Sequence, residues 1–280
     1  AGAVQKAIAD FDYESLRKYP DPTAAGLIGA LSDTYGVPAD QIFVGVGSDD
    51  VLAMSFLSFF TSGEKILFPD VTYSFYDVWA DEFRIPFETV PLLPDFSIDI
   101  DGFCKGDAAG IVIPNPNAPT GLDAGTAALE KIIRSNPQCV VIIDEAYVDF
   151  GAESVLPLIE KYDNLLVTQT FSKSRALAGS RIGFAFGSKK LIKYLNDVKY
   201  SFNSYTMDSL TQKVGIASLS DPDYFKMRCL AIINERERAK KRFAELGFDF
   251  PDSKSNFIFV HHQKVAAEDI FAALRENNIF

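Results

Sequence analysis

Between two apolar runs, residues 165–167 and 182–186, lies the stretch Thr170-Phe171-Ser172-Lys173-Ser174-Arg175, closed by Arg181. The runs have the character of buried strands, so their connection holds two hydroxyls, an amine and a guanidinium at the mouth of a sheet. An amine that is partly desolvated there, with a second cation beside it, becomes a usable nucleophile. The hydroxyls of Thr170 and Ser172 and the guanidinium of Arg181 are donors of the kind that hold a phosphate dianion. A reactive amine beside a phosphate seat suggests pyridoxal 5'-phosphate. A lysine in a Ser/Arg-rich loop is also commonly a solvated charge, so other stretches must decide.

Three stretches bear on it. Gly45-Val46-Gly47-Ser48-Asp49-Asp50 leads from a strand at 41–44 into an apolar helix at 51–60. Free backbone N–H groups and the helix dipole there make an anion site, or Ser48 simply caps the helix. Tyr73 stands where the strand at 65–68 gives way to another helix, the edge at which ligands lodge in open α/β sheets. It would stack on a flat cofactor ring, or pack between helix and sheet. The strand at 140–143 ends in Asp144-Glu145-Ala146-Tyr147. A carboxylate at the end of a buried strand is costly unless neutralised. A protonated ring nitrogen would neutralise it, as would a structural ion pair; a helix cap is the third reading.

The elements that must position these residues follow from periodicity and turn chemistry. Helices are expected over 1–16, 23–35, 51–60, 124–134, 189–198, 209–219 and 266–277, with 223–246 a long, charge-dense link to a second lobe. Strands are expected over 41–44, 65–68, 87–90, 110–114, 140–143, 165–167, 182–186 and 256–260, with 92–107 loop-like and 115–121 closing a strand as a turn. Strand–helix alternation predicts an α/β fold, a mostly parallel sheet with helices on both faces. Residues 1–22 form an N-terminal arm, 23–220 a large ligand-binding domain and 221–280 part of a smaller α+β domain.

Composition narrows the function classes. With 280 residues, 48% of them hydrophobic, the chain can bury a large core. A formal charge of -11 argues against nucleic acid and an anionic membrane as main partners. Cys104, Cys139 and Cys229 are odd in number and widely spaced, the usage of reduced thiols in a cytoplasm. His261 and His262, the only histidines, are expected to flank a strand end, which makes a histidine-rich metal site or triad improbable. No signal peptide, membrane-spanning run or repeat is visible.

Taken together, Gly47-Ser48-Asp49-Asp50, Tyr73, Asn115-Pro116-Asn117-Ala118-Pro119-Thr120-Gly121, Asp144 to Tyr147, and Ser172-Lys173 with Arg181 eight positions on resemble the fold-type I pyridoxal-phosphate aminotransferases. The likeness is nearest to the histidinol-phosphate branch, to which Arg17-Lys18-Tyr19-Pro20-Asp21-Pro22 is also similar, and it covers nearly the whole chain. The resemblance implies that Lys173 bonds to the cofactor aldehyde and then moves the substrate's Cα proton. It implies that Asp144 faces the ring nitrogen, Tyr147 donates to the phenolic O3', and Tyr73 stacks on the ring. Thr170, Ser172, Arg181 and the backbone around Ser48 and Asp49 would hold the phosphate. Tyr19 would reach the phosphate of a neighbouring subunit, which implies a homodimer. The implied reaction moves an amino group from L-histidinol phosphate to 2-oxoglutarate, in histidine biosynthesis.

Two departures accompany the likeness. Many relatives have Asn directly before Pro-Thr-Gly; here Ala118 stands there, so either Asn117 takes over the O3' contact or Tyr147 works alone. The family's leading Asn-Glu-Asn-Pro segment, and its strand-rich C-terminal lobe with a substrate-gripping arginine, fall outside these residues, so a fragment is expected. Arg175 is a candidate for a substrate phosphate, or a solvated loop cation. Related folds decarboxylate threonine phosphate or transaminate aromatic amino acids. A non-catalytic pyridoxal-phosphate sensor or dimerisation module would not need the Lys173 and Asp144 pair. A nucleotide-binding domain would need a fuller motif than the Gly45 to Asp50 loop.

Overall fold

One reversed strand shapes the molecule. The computed structural model describes residues 2–279. Its main sheet contains β1 (Ile42–Gly45), β2 (Ile66–Pro69), β3 (Phe87–Val90), β4 (Gly110–Pro114), β5 (Val140–Asp144), β6 (Leu165–Thr170) and β7 (Gly183–Gly187), in the order β1-β7-β6-β5-β4-β2-β3. β7 is antiparallel to β6 and to β1, and the remaining pairings are parallel. The fold is thus the expected α/β type with a mostly parallel sheet.

Strands covered on both faces need apolar residues at successive positions, and Val141, Ile142 and Ile143 are all fully buried. Alternation along the strand sends them to opposite sides. Val141 and Ile143 join a core with Leu27 and Leu31 of α2 (Ala25–Tyr35) and Leu129 and Ile132 of α6 (Thr126–Ser135). Ile142 joins the other core with Phe56 of α3 (Ser48–Phe59), Tyr76 of α4 (Tyr76–Glu82) and Leu195 of α7 (Lys189–Phe202). The other helices are α1 (Gly2–Ala9), α5 (Ile100–Phe103), α8 (Ser209–Leu219), α9 (Pro222–Glu245) and α10 (Ala267–Glu276). Among the described residues no helix is long and apolar enough to cross a membrane.

Several expected elements differ. The helix expected over 1–16 stops at Ala9, and a 3-10 turn, Tyr13–Arg17, follows because the Asp12 carboxylate accepts the Glu14 N–H. Ala1 and Phe280 lie outside the described residues. Within 92–107 one helical turn forms, α5, capped by Asp99, whose carboxylate accepts the Gly102 N–H at 3.1 Å. No strand forms at 256–260. There Ser253 Oγ donates to the Phe257 carbonyl at 2.6 Å and accepts the Ser255 N–H at 3.1 Å, a local bonding pattern that bends the chain away from a ladder. The pairing is made instead by β8 (Phe248–Asp249) with β9 (His261–His262), so the histidine pair forms the strand it was expected to flank.

Candidate active site

The carboxyl ends of β4, β5 and β6 open into a cavity of about 140 Å³ lined by Ser48, Asp49, Tyr73, Asp144, Tyr147, Ser172, Lys173 and Arg181, together with Pro114, Ala118, Ala146 and Ala178. Eight residues picked from the sequence thus meet in one place. Because β7 returns antiparallel, the chain leaving β6 stays at this edge, which puts Ser172 and Lys173 on its outward leg and Arg181 on its return. Lys173 Nζ lies 5.2 Å from the centre of the Tyr147 ring.

Anion-binding character comes from the start of α3. Gly47 precedes it with φ 92°, a conformation that favours glycine, and no side chain caps the helix. Ser48 is therefore the first helical residue rather than the cap. The N–H groups of Ser48, Asp49 and Asp50 precede the first intrahelical bond, from Val51 N–H to the Gly47 carbonyl at 3.2 Å. A Cβ on Gly47 would collide with the Arg181 guanidinium, and one on Gly183 would overlap the Gly47 carbonyl carbon and the Ser48 nitrogen. Two bare glycines thus bring Arg181, β7 and the helix N-terminus into contact. Asp49 joins the set: it accepts from Arg181 Nη2 at 3.1 Å and from the Tyr73 hydroxyl at 2.8 Å.

Asp144 forms the floor. It is 5% exposed, and its carboxylate accepts from the Tyr76 hydroxyl at 2.9 Å, the Ala146 N–H at 3.2 Å and the Thr168 hydroxyl at 3.3 Å. Burial pushes its pKa up against those hydrogen bonds. No basic side chain forms an ion pair with it among the described residues. Burial and the facing carboxylate hold the Tyr76 phenol well above its usual value, so it remains a donor. The neighbouring Glu145 points away from the cavity and is bonded by Ser154 Oγ at 2.6 Å, Val155 N–H at 2.7 Å and Gln169 Nε2 at 2.9 Å.

Three sequence expectations need correction or relocation. Thr170 does not line the cavity: its hydroxyl donates to the Ile182 carbonyl and accepts the Ser172 N–H, so it shapes the loop from within. Asn117 is also absent from the lining. Its amide nitrogen donates to the Val71 carbonyl at 3.0 Å and to Thr120 Oγ1 at 3.2 Å, and its oxygen accepts from Thr72, so the side chain is committed to the turn; Ala118 faces the cavity instead. Arg175 is not a solvated cation. Its guanidinium lies 4.1 Å from the Phe225 ring centre and donates to the Ser218 carbonyl at 3.0 Å, in a second cavity of about 210 Å³ behind the lysine loop. Tyr19 is 81% exposed and outside its own chain's cavity.

Tyr76 and Thr168 escaped the sequence reading. The signals existed: Tyr76 opens the helix that follows Tyr73, and Thr168 interrupts an apolar buried strand. An amine, a buried carboxylate with no cationic partner among the described residues, two phenols and an N-terminal anion cradle suit a phosphorylated heteroaromatic aldehyde with a basic ring nitrogen, such as pyridoxal 5'-phosphate.

Known proteins similar to this chain give its family. The chain is 50% identical over 276 residues to histidinol-phosphate aminotransferase of Lactococcus lactis subsp. cremoris (strain SK11), an alignment covering 99% of the chain and 77% of that relative. It is 48% identical over 277 residues to the histidinol-phosphate aminotransferase of Brachyspira hyodysenteriae (strain ATCC 49526 / WA1), covering 99% and 78%. Histidinol-phosphate aminotransferase from Sinorhizobium meliloti, solved in complex with pyridoxal-5'-phosphate, superposes with a TM-score of 0.90 at 25% identity, covering 100% of this chain and 78% of that one. The family model "Aminotransferase class I and II" matches residues 2–280, and the chain belongs to that family.

Proposed function

We propose that the chain transfers an amino group from L-histidinol phosphate to 2-oxoglutarate, in histidine biosynthesis, with pyridoxal 5'-phosphate held in the cavity at the ends of β4, β5 and β6. The observation that carries the cofactor assignment is the meeting of Lys173, Asp144 and Arg181 around one cavity. The names of relatives near half identity carry the substrate.

When bound, the cofactor supplies an electron sink beside the substrate's Cα. The chain's residues do the rest. Lys173 Nζ takes the Cα proton. Asp144, desolvated and fixed by Tyr76 and Thr168, presents a carboxylate that favours a protonated ring nitrogen. Tyr147 donates to the phenolic oxygen, and Tyr73 covers a ring face while its hydroxyl steadies Asp49. Ser172, Arg181 and the first N–H groups of α3 hold the phosphate. Each is a role for a positioned group that needs little rearrangement.

The working unit in this proposal is a cytoplasmic homodimer in which Tyr19 reaches the partner's phosphate. Tyr19 projects from a clamped base: Lys199 Nζ donates to the Pro22 carbonyl at 3.1 Å and Gln212 Nε2 to the Asp21 carbonyl at 3.0 Å. Its ring stacks on Tyr205 with centroids 4.5 Å apart. Three unpaired cysteines suit a reducing compartment. A division into an arm at 1–22, a large domain at 23–220 and a smaller one from 221 belongs to the same proposal.

The test is an absorbance spectrum with pyridoxal phosphate, before and after L-histidinol phosphate. A visible band that this donor bleaches is the expected result. A band that ignores the donor removes the substrate assignment, and no band removes the cofactor.

A further inference from the structure

The turn after Asp144 is fastened at three points that the reaction as read above leaves unexplained. Asp149 Oδ2 accepts a 2.5 Å hydrogen bond from Ser174 Oγ, the residue next to Lys173. The Phe150 carbonyl accepts from Arg236 Nη1 at 2.8 Å, and the same nitrogen donates to the Ser255 carbonyl at 2.9 Å. Phe257 sets its ring edge-on to Tyr147, with centroids 5.0 Å apart and planes at 86°.

Arg236 lies in α9 and is 6% exposed. A guanidinium removed from water is costly unless its donors are engaged, and here two backbone carbonyls and the Glu237 carboxylate engage them. Residues 253–257 reach both loops that rim the cavity. The Lys254 N–H donates to the Gly121 carbonyl at 2.7 Å, Ser253 lies against Gly121, and Phe257 meets Tyr147. The contacts close a ring, from Lys173 through Ser174 and Asp149 to Phe150, then Arg236, Ser255, Phe257 and Tyr147, which faces Lys173 again.

We propose that Arg236 and Phe257 are positioning residues that brace the turn at 145–150 and so fix the Tyr147 hydroxyl relative to the Lys173 amine. The inference rests on the reading of Tyr147 as donor to the cofactor's phenolic oxygen. A phenol donating to that oxygen draws charge from it. Once Tyr147 loses its edge contact and swings away, more charge remains to hold the proton on the neighbouring nitrogen, so the pH midpoint of the visible band rises.

The experiment titrates that band in the full chain loaded with pyridoxal phosphate, for wild type, Phe257→Ala, Phe257→Tyr and Arg236→Gln, and measures kcat and KM for L-histidinol phosphate. Phe257→Ala is expected to keep the band, raise its midpoint by about one pH unit, the size of one hydrogen bond, and lower kcat on the order of tenfold with KM little changed. Phe257→Tyr keeps the ring edge and is expected to titrate like wild type. Arg236→Gln is expected to follow Phe257→Ala; if it fails to fold, the two Phe257 variants decide. A folded Phe257→Ala protein with the wild-type midpoint and kcat overturns the inference. A wild-type chain that forms no band overturns the underlying cofactor reading, and the inference falls with it.

Discussion

Asp144 and Glu145 are consecutive, buried and acidic, yet they belong to different parts of the molecule. Asp144 lies at the cavity floor, with three hydrogen bonds and, among the described residues, no cation paired with it. Glu145 points the other way into a cluster of Ser154, Val155 and Gln169, and burial raises its pKa from 4.5 to about 7. Burial raises the pKa of both. The difference is the partner: for Glu145 the protein supplies it, whereas for Asp144 one side is left open to a ligand. A buried carboxylate therefore marks a ligand site only where its bonds leave a direction unfilled and a cavity lies there.

Substitutions can separate the two roles. The largest effect is expected on the cavity side from Lys173→Ala, which abolishes turnover in a donor assay while unfolding free energy in urea stays within about 0.5 kcal/mol. Asp144→Asn should cost about 10²–10⁴ in kcat with no loss of stability, because a proton-favouring charge is removed while the shape is kept. If Asp144→Asn lost stability but kept activity, the assignment of the two carboxylates would have to be exchanged. On the core side, Glu145→Ala leaves buried donors unpaired and should cost about 1–3 kcal/mol of stability, with kcat of the folded fraction near wild type.

The finest test uses pH. Glu145 has a raised value in the folded chain, so the unfolded chain releases that proton first as pH rises. Its contribution is present below about 4.5, is lost progressively up to about 7 and is constant above. The lost contribution is on the order of 3 kcal/mol. Glu145→Gln should flatten this part of the stability profile. Gln169 can accommodate the change by turning its amide, since its Oε1 has no hydrogen-bond partner among the described residues. A profile from urea midpoints between those pH values that keeps its wild-type slope in Glu145→Gln assigns the slope to another group.

How far the sequence reveals all this depends on the kind of evidence each residue leaves. Strand ends are legible, because continuous β-branched runs such as Val140 to Ile143 stop at charged or turn residues. The meeting of Lys173, Asp144, Tyr147 and Arg181 follows once those ends lie on one edge. The direction of a side chain is less legible. Thr170 and Ser172 are both loop hydroxyls in the sequence, and only the return of β7 decides that Thr170 bonds inward to Ile182 while Ser172 lines the cavity. Asn117 is lost to its own turn for the same reason. The contact of Phe257 with Tyr147 joins residues far apart in the chain, and no local pattern announces it.

The antiparallel course of β7 has a consequence for the thermodynamics of recognition. Thr170 is paired with Gly183, and Gly183 with Gly45, so the two ends of the lysine loop and the approach to α3 are joined in adjacent ladders. In a strictly parallel sheet the chain would leave this edge and cross over before its next strand. Here, the loop-closure entropy of bringing serine, lysine, arginine and helix N-terminus together is lost when the sheet forms. A phosphate arriving later meets donors already gathered, so less of its binding free energy is diverted to ordering the chain.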